Sequence, residues 1–165
     1  MMSKMYRNDN YKSDNGQGDD CVKERYNPVH YGPEHYGTER NCGCGGQGYV
    51  PKERVMNVPR MANTNKFYRR EIWTGYNSQM TVMSIPIKGE VGTEVHKEND
   101  QIIRIEGGFG LVVFGKGEET IRVAMGDTVF VPAGTCHNIV NVGRMPLKLS
   151  STYSPAHHPV GTVEQ

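Results

Sequence analysis

The first fifty residues contain no isoleucine, leucine or phenylalanine and only three valines. A segment with so little apolar surface cannot offset the ordering entropy of its own backbone. Composition therefore predicts a low-complexity, disordered tail over residues 1–50 instead of a packed unit. The tail has eight glycines and six of the nine tyrosines in the chain. His30-Tyr31-Gly32-Pro33-Glu34 runs straight into His35-Tyr36-Gly37-Thr38-Glu39, a tandem repeat of two copies, too few to stack into a repeat architecture.

Other absences narrow the function. No stretch of eighteen apolar residues occurs, nor a charged start followed by an apolar run, so neither a membrane-spanning helix nor a secretory leader is expected. The formal net charge is +1, and no excess of either sign points toward nucleic acid or an anionic membrane surface. The expected location is cytoplasmic. Of the four cysteines, Cys21, Cys42 and Cys44 lie in the glycine-rich third and Cys136 lies in the β-rich part. Cys42-Gly43-Cys44 lacks the second pair that a four-ligand zinc site needs, and no core is expected to fix disulfide geometry there. Reactive, flexible thiols are the reading for the tail. Nor does a glycine-rich loop open a helix, so a phosphate cradle of that kind is missing.

From about residue 66 the texture changes to short runs of β-formers divided by turn signals. The expected strands are Glu71 to Thr74, Gln79 to Ile87, Gly92 to His96, Gln101 to Ile105, Gly110 to Phe114, Thr120 to Ala124, Thr128 to Val131, Cys136 to Val142 and Leu147 to Tyr153. Gly107-Gly108, Gly115 to Glu118, Met125-Gly126-Asp127, Pro132-Ala133-Gly134 and Gly143-Arg144 supply turns. No amphipathic helical pattern competes, so the fold class is all-β. The chain divides into a tail (1–50), a linker or extended arm (51–66), a barrel (67–155) and a C-terminal extension (156–165).

Chemistry concentrates in two places. Glu94 and His96 are two apart on an expected strand, so their side chains share a face. Burying both in an apolar barrel is costly unless something pairs with them, and a divalent metal would satisfy both. Gln101 has the opposite parity to His96, so residues 97–100 must turn before Gln101 can offer its amide oxygen. His137 follows a strand and a Pro-x-Gly turn, and would complete two imidazoles and one carboxylate, a set associated with non-haem iron and also taken by Mn, Ni or Zn. A carboxylate in place of a third imidazole hardens the site and favours Mn or Fe over Cu.

Gly126, Pro132, Gly134, His137 and Asn141 match G-x5-P-x-G-x2-H-x3-N, the second motif of the cupin family. The first motif is matched with Glu94 where a His is usual, His96 at the second His, Gln101 at the usual Glu and Gly108 closing it. By this resemblance the domain is a jelly-roll barrel whose metal ligands are Glu94, His96, Gln101 and His137, the alternative being a metal-free barrel in which Glu94 has lost ligation. The stretch from Phe67 onward, with Trp73-Thr74-Gly75 and Ser154 to Val163, is similar to small bacterial cupins of the mannose-6-phosphate-isomerase-like kind.

The resemblance implies a metal-dependent sugar-type isomerase or oxygenase acting on a small polar molecule, working as a homodimer. The alternative is a non-catalytic binding or structural component of a protective layer such as a spore coat, with the tail recruiting assembly partners. Among the remaining residues, Asn141 is expected to satisfy backbone groups at the barrel rim, Cys136 to point outward, and Trp73 to pack. Asp100 and Glu106 are expected to be solvated. His157 and His158 belong to an extension that folds over the barrel or a neighbour.

Overall fold

The computed structural model describes residues 54–117 and 119–165. The expectations for the tail, its repeat, its three cysteines and its assembly role lie outside the described residues. One short helix precedes nine strands: α1 (Val58–Thr64), β1 (Arg69–Thr74), β2 (Gln79–Ile85), β3 (Asp100–Gly107), β4 (Phe109–Phe114), β5 (Glu119–Ala124), β6 (Thr128–Val131), β7 (His137–Asn141), β8 (Leu147–Ser154) and β9 (Val163–Glu164). They form a six-stranded sheet in the order β6-β3-β8-β2-β1-β9 and a three-stranded sheet in the order β5-β4-β7. Every pairing is antiparallel. The described residues fold as an all-β jelly-roll barrel with one short helix on its outer face.

Alternation builds the barrel. On β2, β8 and β3 every second residue points inward, and the register stacks these residues in rows. Gln79, Tyr153 and Gln101 form one row; Thr81, Ser151 and Ile103 the next; Met83, Leu149 and Ile105 the third; Ile85 and Leu147 the last. Polarity thus falls from one end of the barrel to the other. The apolar end joins Val112, Val123, Val129, Val131 and Ile139 in the main core, while the polar end forms the mouth.

Two features differ from the sequence expectations, and a third, the C-terminal extension, takes one of the two places expected for it by folding over its own barrel. The segment 51–66, read as a linker or extended arm, contains α1. Asn57 caps it by accepting the Arg60 N–H at 3.0 Å, and Pro59 sits in its first turn, where a missing N–H costs nothing. Its Ala62 and Met61, with Met56 and Val58, pack on Ile72, Val82 and Met80 over the outer face of the large sheet. A seven-residue helix leaves too short a periodic signal to read. Second, residues 92–96 are not a strand. The stretch from Gly89 to Glu94 is tied to β7 by isolated bridges, Glu90 to Val140 and Glu94 to His137, and by the Gly92 N–H donating to Asn138 Oδ1 at 3.0 Å.

Third, the C-terminal extension is a strap across the mouth. The Asn99 amide donates to Pro155 O at 2.7 Å. Gln79, fully buried, donates to His158 O at 2.8 Å and accepts the His157 and His158 N–H groups at 3.3 and 2.8 Å. Glu71 donates its N–H to Thr162 O at 2.8 Å and accepts that of Gly161 at 3.1 Å. The strap ends as β9, paired with β1 at the sheet edge.

Candidate metal centre

Backbone pairing converges the candidate ligands. Glu94 N–H donates to His137 O at 2.8 Å and His137 N–H to Glu94 O at 3.0 Å, a hydrogen-bonded antiparallel pair that puts both side chains on one side. His96 is held from its carbonyl, which accepts the Gly134 N–H at 2.8 Å. Gly134 has φ 78°, the left-handed conformation that the Pro132-Ala133-Gly134 turn requires. Asp100 braces the same turn by accepting the Ala133 N–H at 2.9 Å. The motif glycine and proline thus act on His96 as well as on His137.

Donor atoms of Glu94, His96 and His137 all lie within 4.8 Å of one another. Gln101 joins them: its Oε1 stands 3.0 Å from His137 Nε2, while its amide nitrogen donates to Ser151 Oγ at 2.8 Å and Tyr153 Oη at 3.1 Å. All four sequence candidates therefore meet at the mouth. Cys136 does not join them; its sulfur lies 3.5 Å from Gly115 O.

Electrostatics prepare the group for a cation. His137 Nδ1 donates to Thr135 O at 3.0 Å, which leaves Nε2 with its lone pair facing Gln101 Oε1. Burial pushes the His137 imidazole below its ordinary value, and the neighbouring His96 pushes it further, against the Thr135 carbonyl and the Glu94 carboxylate. Burial alone would raise Glu94, but contact with His96 and the charge of Arg69 outweigh it, so its carboxyl sits below the usual range. Both groups thus favour the proton-free, metal-competent form.

His96 is 6% exposed, and its Nε2 is buried without a hydrogen-bond partner; Glu94 Oε2 is 3.4 Å away. Such an orphan is what a missing cation leaves behind. The separations of 3.0 and 3.4 Å also suit adjacent ligands that each lie about 2.1 Å from a shared ion. The residues present therefore fit a divalent metal.

Several surrounding residues escaped the sequence reading. Arg69, 7% exposed, reaches Glu94 Oε1 with Nη2 at 3.4 Å and Glu164 with Nη1 at 3.1 Å. A signal for it existed, because adjacent Arg69 and Arg70 on one strand cannot both face solvent. Tyr153 is fully buried, and burial raises its hydroxyl above the ordinary range. From the strap, the His157 ring packs 4.4 Å from that of His96 and 5.4 Å from that of Tyr153, with its Nδ1 3.3 Å from Asn99 Oδ1.

Among the secondary expectations, Asn141 does satisfy backbone groups. It is 2% exposed and donates to Ile85 O, Pro86 O and Met145 O while accepting the Gly143 N–H at 2.9 Å. Asp100 is exposed, but Glu106 is not. It is 4% exposed and accepts from Ser150 Oγ at 2.7 Å on the face that α1 covers.

A family model for the cupin domain matches residues 81–153. The uncharacterized protein YrkC of Bacillus subtilis (strain 168) is 42% identical over 121 residues, which is 71% of this chain and 65% of that protein. The chain thus spans slightly under two thirds of that relative. An uncharacterized protein of Acanthamoeba polyphaga mimivirus is 40% identical over 112 residues, 67% of this chain and 70% of that protein. Among solved structures, BH2720 from Bacillus halodurans superposes with a TM-score of 0.68 at 40% identity, over 69% of this chain and 89% of that chain. With the motif residues, the barrel and these relatives in agreement, the chain belongs to the cupin family.

Proposed function

We propose that the protein is a metal-binding cupin that acts on a small polar molecule, with Glu94, His96 and His137 as protein ligands and Gln101 Oε1 as a weaker fourth donor. The observation that carries this reading is the buried, unpartnered Nε2 of His96 beside the donors of Glu94 and His137. A divalent ion bound there supplies Lewis acidity toward a ligand oxygen, as sugar-type isomerisation and oxygenase chemistry both need.

The other roles fall to the chain itself. Thr135 O fixes the His137 tautomer, and Ser151 and Tyr153 hold the Gln101 amide with its oxygen toward His137. The strap packs its His157 ring 4.4 Å from that of His96. A cavity of about 10 Å³ lies beneath the triad, lined by Arg69, Gln101, Ser151 and apolar residues including Ile103 and Leu149. That is room for about one water.

The same closure favours a second reading, a non-catalytic cupin that retains a metal as a binding or structural component of a protective layer. Elemental analysis by mass spectrometry of the full chain purified without added metal, beside His137→Ala, tests the primary claim. Near-stoichiometric Mn, Fe, Ni or Zn that disappears in the variant is the expected result. A wild-type protein that neither carries nor can be loaded with a divalent metal overturns it.

A further inference from the structure

The guanidinium of Arg69 is incompletely satisfied. Its side chain is 8% exposed, it lines the cavity below the triad, and its Nε is buried without a partner. Nη2 reaches only the long 3.4 Å contact to Glu94, while Nη1 is held by both carboxylate oxygens of Glu164 at 3.1 and 3.3 Å. Nε is thus a buried donor without an acceptor on a residue that lines the cavity together with Glu94 and His137, and a carboxylate is the group that a guanidinium binds with two parallel hydrogen bonds.

Charge balance says what belongs there. Without a metal, Arg69 is outnumbered by the two carboxylates it touches. A divalent ion at Glu94, His96 and His137 reverses the balance to one net positive charge in a buried setting, which favours an anion. Closure says how it arrives. The cavity holds about one water, and the strap packs its His157 ring 4.4 Å from that of His96, so entry of a ligand of several heavy atoms is assigned to lifting of the strap. Because Glu164 lies on that strap, lifting it also strips Arg69 of its best-placed carboxylate.

We propose that Arg69 is the carboxylate receptor of this centre, that the ligand is a small organic anion bound between Arg69 and the metal, and that Glu164 is the built-in carboxylate it displaces. The proposal rests on the metal-binding reading above. It also narrows that reading from small polar molecules to small carboxylates.

The test is calorimetric titration of the Mn-loaded full chain with pyruvate, and with hydroxyacetone as its uncharged counterpart, on wild type, Glu164→Gln, Arg69→Lys and Arg69→Gln. Metal content is measured on the same samples. Pyruvate should bind wild type and hydroxyacetone should not. Glu164→Gln should bind pyruvate about twofold to fivefold more tightly, the worth of one partly exposed ion pair. Arg69→Gln should weaken binding by about tenfold or more, as expected for losing charged hydrogen bonds. Arg69→Lys should recover part of that loss, because it keeps the charge without the fork. Glu164→Gln leaves Arg69 and the triad in place, so it decides the matter even if the Arg69 variants fold poorly. Equal binding of pyruvate and hydroxyacetone, or no gain in Glu164→Gln, overturns the proposal. A wild-type protein that holds no metal sinks the earlier reading; a metal-loaded protein indifferent to pyruvate sinks this one alone.

Discussion

Replacing Gln79 with leucine separates the strap from the barrel. The side chain is fully buried and makes three hydrogen bonds to strap backbone: one donated to His158 O and two accepted from the N–H groups of His157 and His158. Leucine fills similar volume but offers none of them. At about 1 kcal/mol for each bond, the docked strap loses about 3 kcal/mol relative to an undocked one. That corresponds to roughly a hundredfold rise in the undocked population.

The loss falls mainly on the strap, because a released strap finds its hydrogen bonds in water; inside the barrel the change removes the Gln79 bond to Thr74 Oγ1 at 2.9 Å and leaves the rows below Gln79 untouched. Native-state hydrogen exchange reads both quantities at once. Protection of the His158 amide should fall about a hundredfold, while amides of Ile103 and Leu149 change several-fold at most. If strap and core amides lose protection equally, the strap is not a separable unit. If neither changes, the hydrogen bonds through Gln79 do not hold the strap.

Two further tests bear on the ends of the barrel. His158 is held down to about 4, first by burial and then by the nearby charges of Arg69 and His157, opposed by Glu94. Its folded value lies below its ordinary value of 6.5, so the unfolded or undocked state binds the proton more readily. The stabilisation is therefore whole above about 6.5 and is lost as pH falls toward 4. NMR titration of the ring should show no inflection near 6.5; one at that value would mean the ring is solvated. At the opposite end, Asn141→Ala strips three carbonyls and the Gly143 N–H of their partner and should cost about 2–4 kcal/mol in urea unfolding. A loss under about 1 kcal/mol would show that water replaces the amide.

The strands were legible because their apolar residues alternate between turns rich in glycine and proline, and the site was legible because its motif glycine and proline set the turn before His137. The agreement at Glu94 came by a different route. Sequence spacing put Glu94 and His96 on one strand, whereas the structure brings them together through the Glu94–His137 bridge and the tie from His96 O to Gly134. Glu106 was misread because its burial depends on α1, whose few residues carry no periodic signal. The strap was legible only as an extension folding over the barrel or a neighbour, and the places where it is anchored were not. Its anchors are one to three hydrogen bonds each at Glu71, Gln79 and Asn99, some sixty to ninety residues earlier in the chain, and nothing local encodes them.

Arg69 and Glu164 are register partners at the β1–β9 edge, and the same guanidinium touches Glu94. One side chain therefore takes part in closing the sheet and in setting the charge of the centre. A substitution that improved either role would disturb the other, so this corner of the molecule cannot be optimised for durability and for chemistry independently. Engineering for heat resistance should leave it alone and work at the apolar floor, where Ile85 and Leu147 face no such double demand.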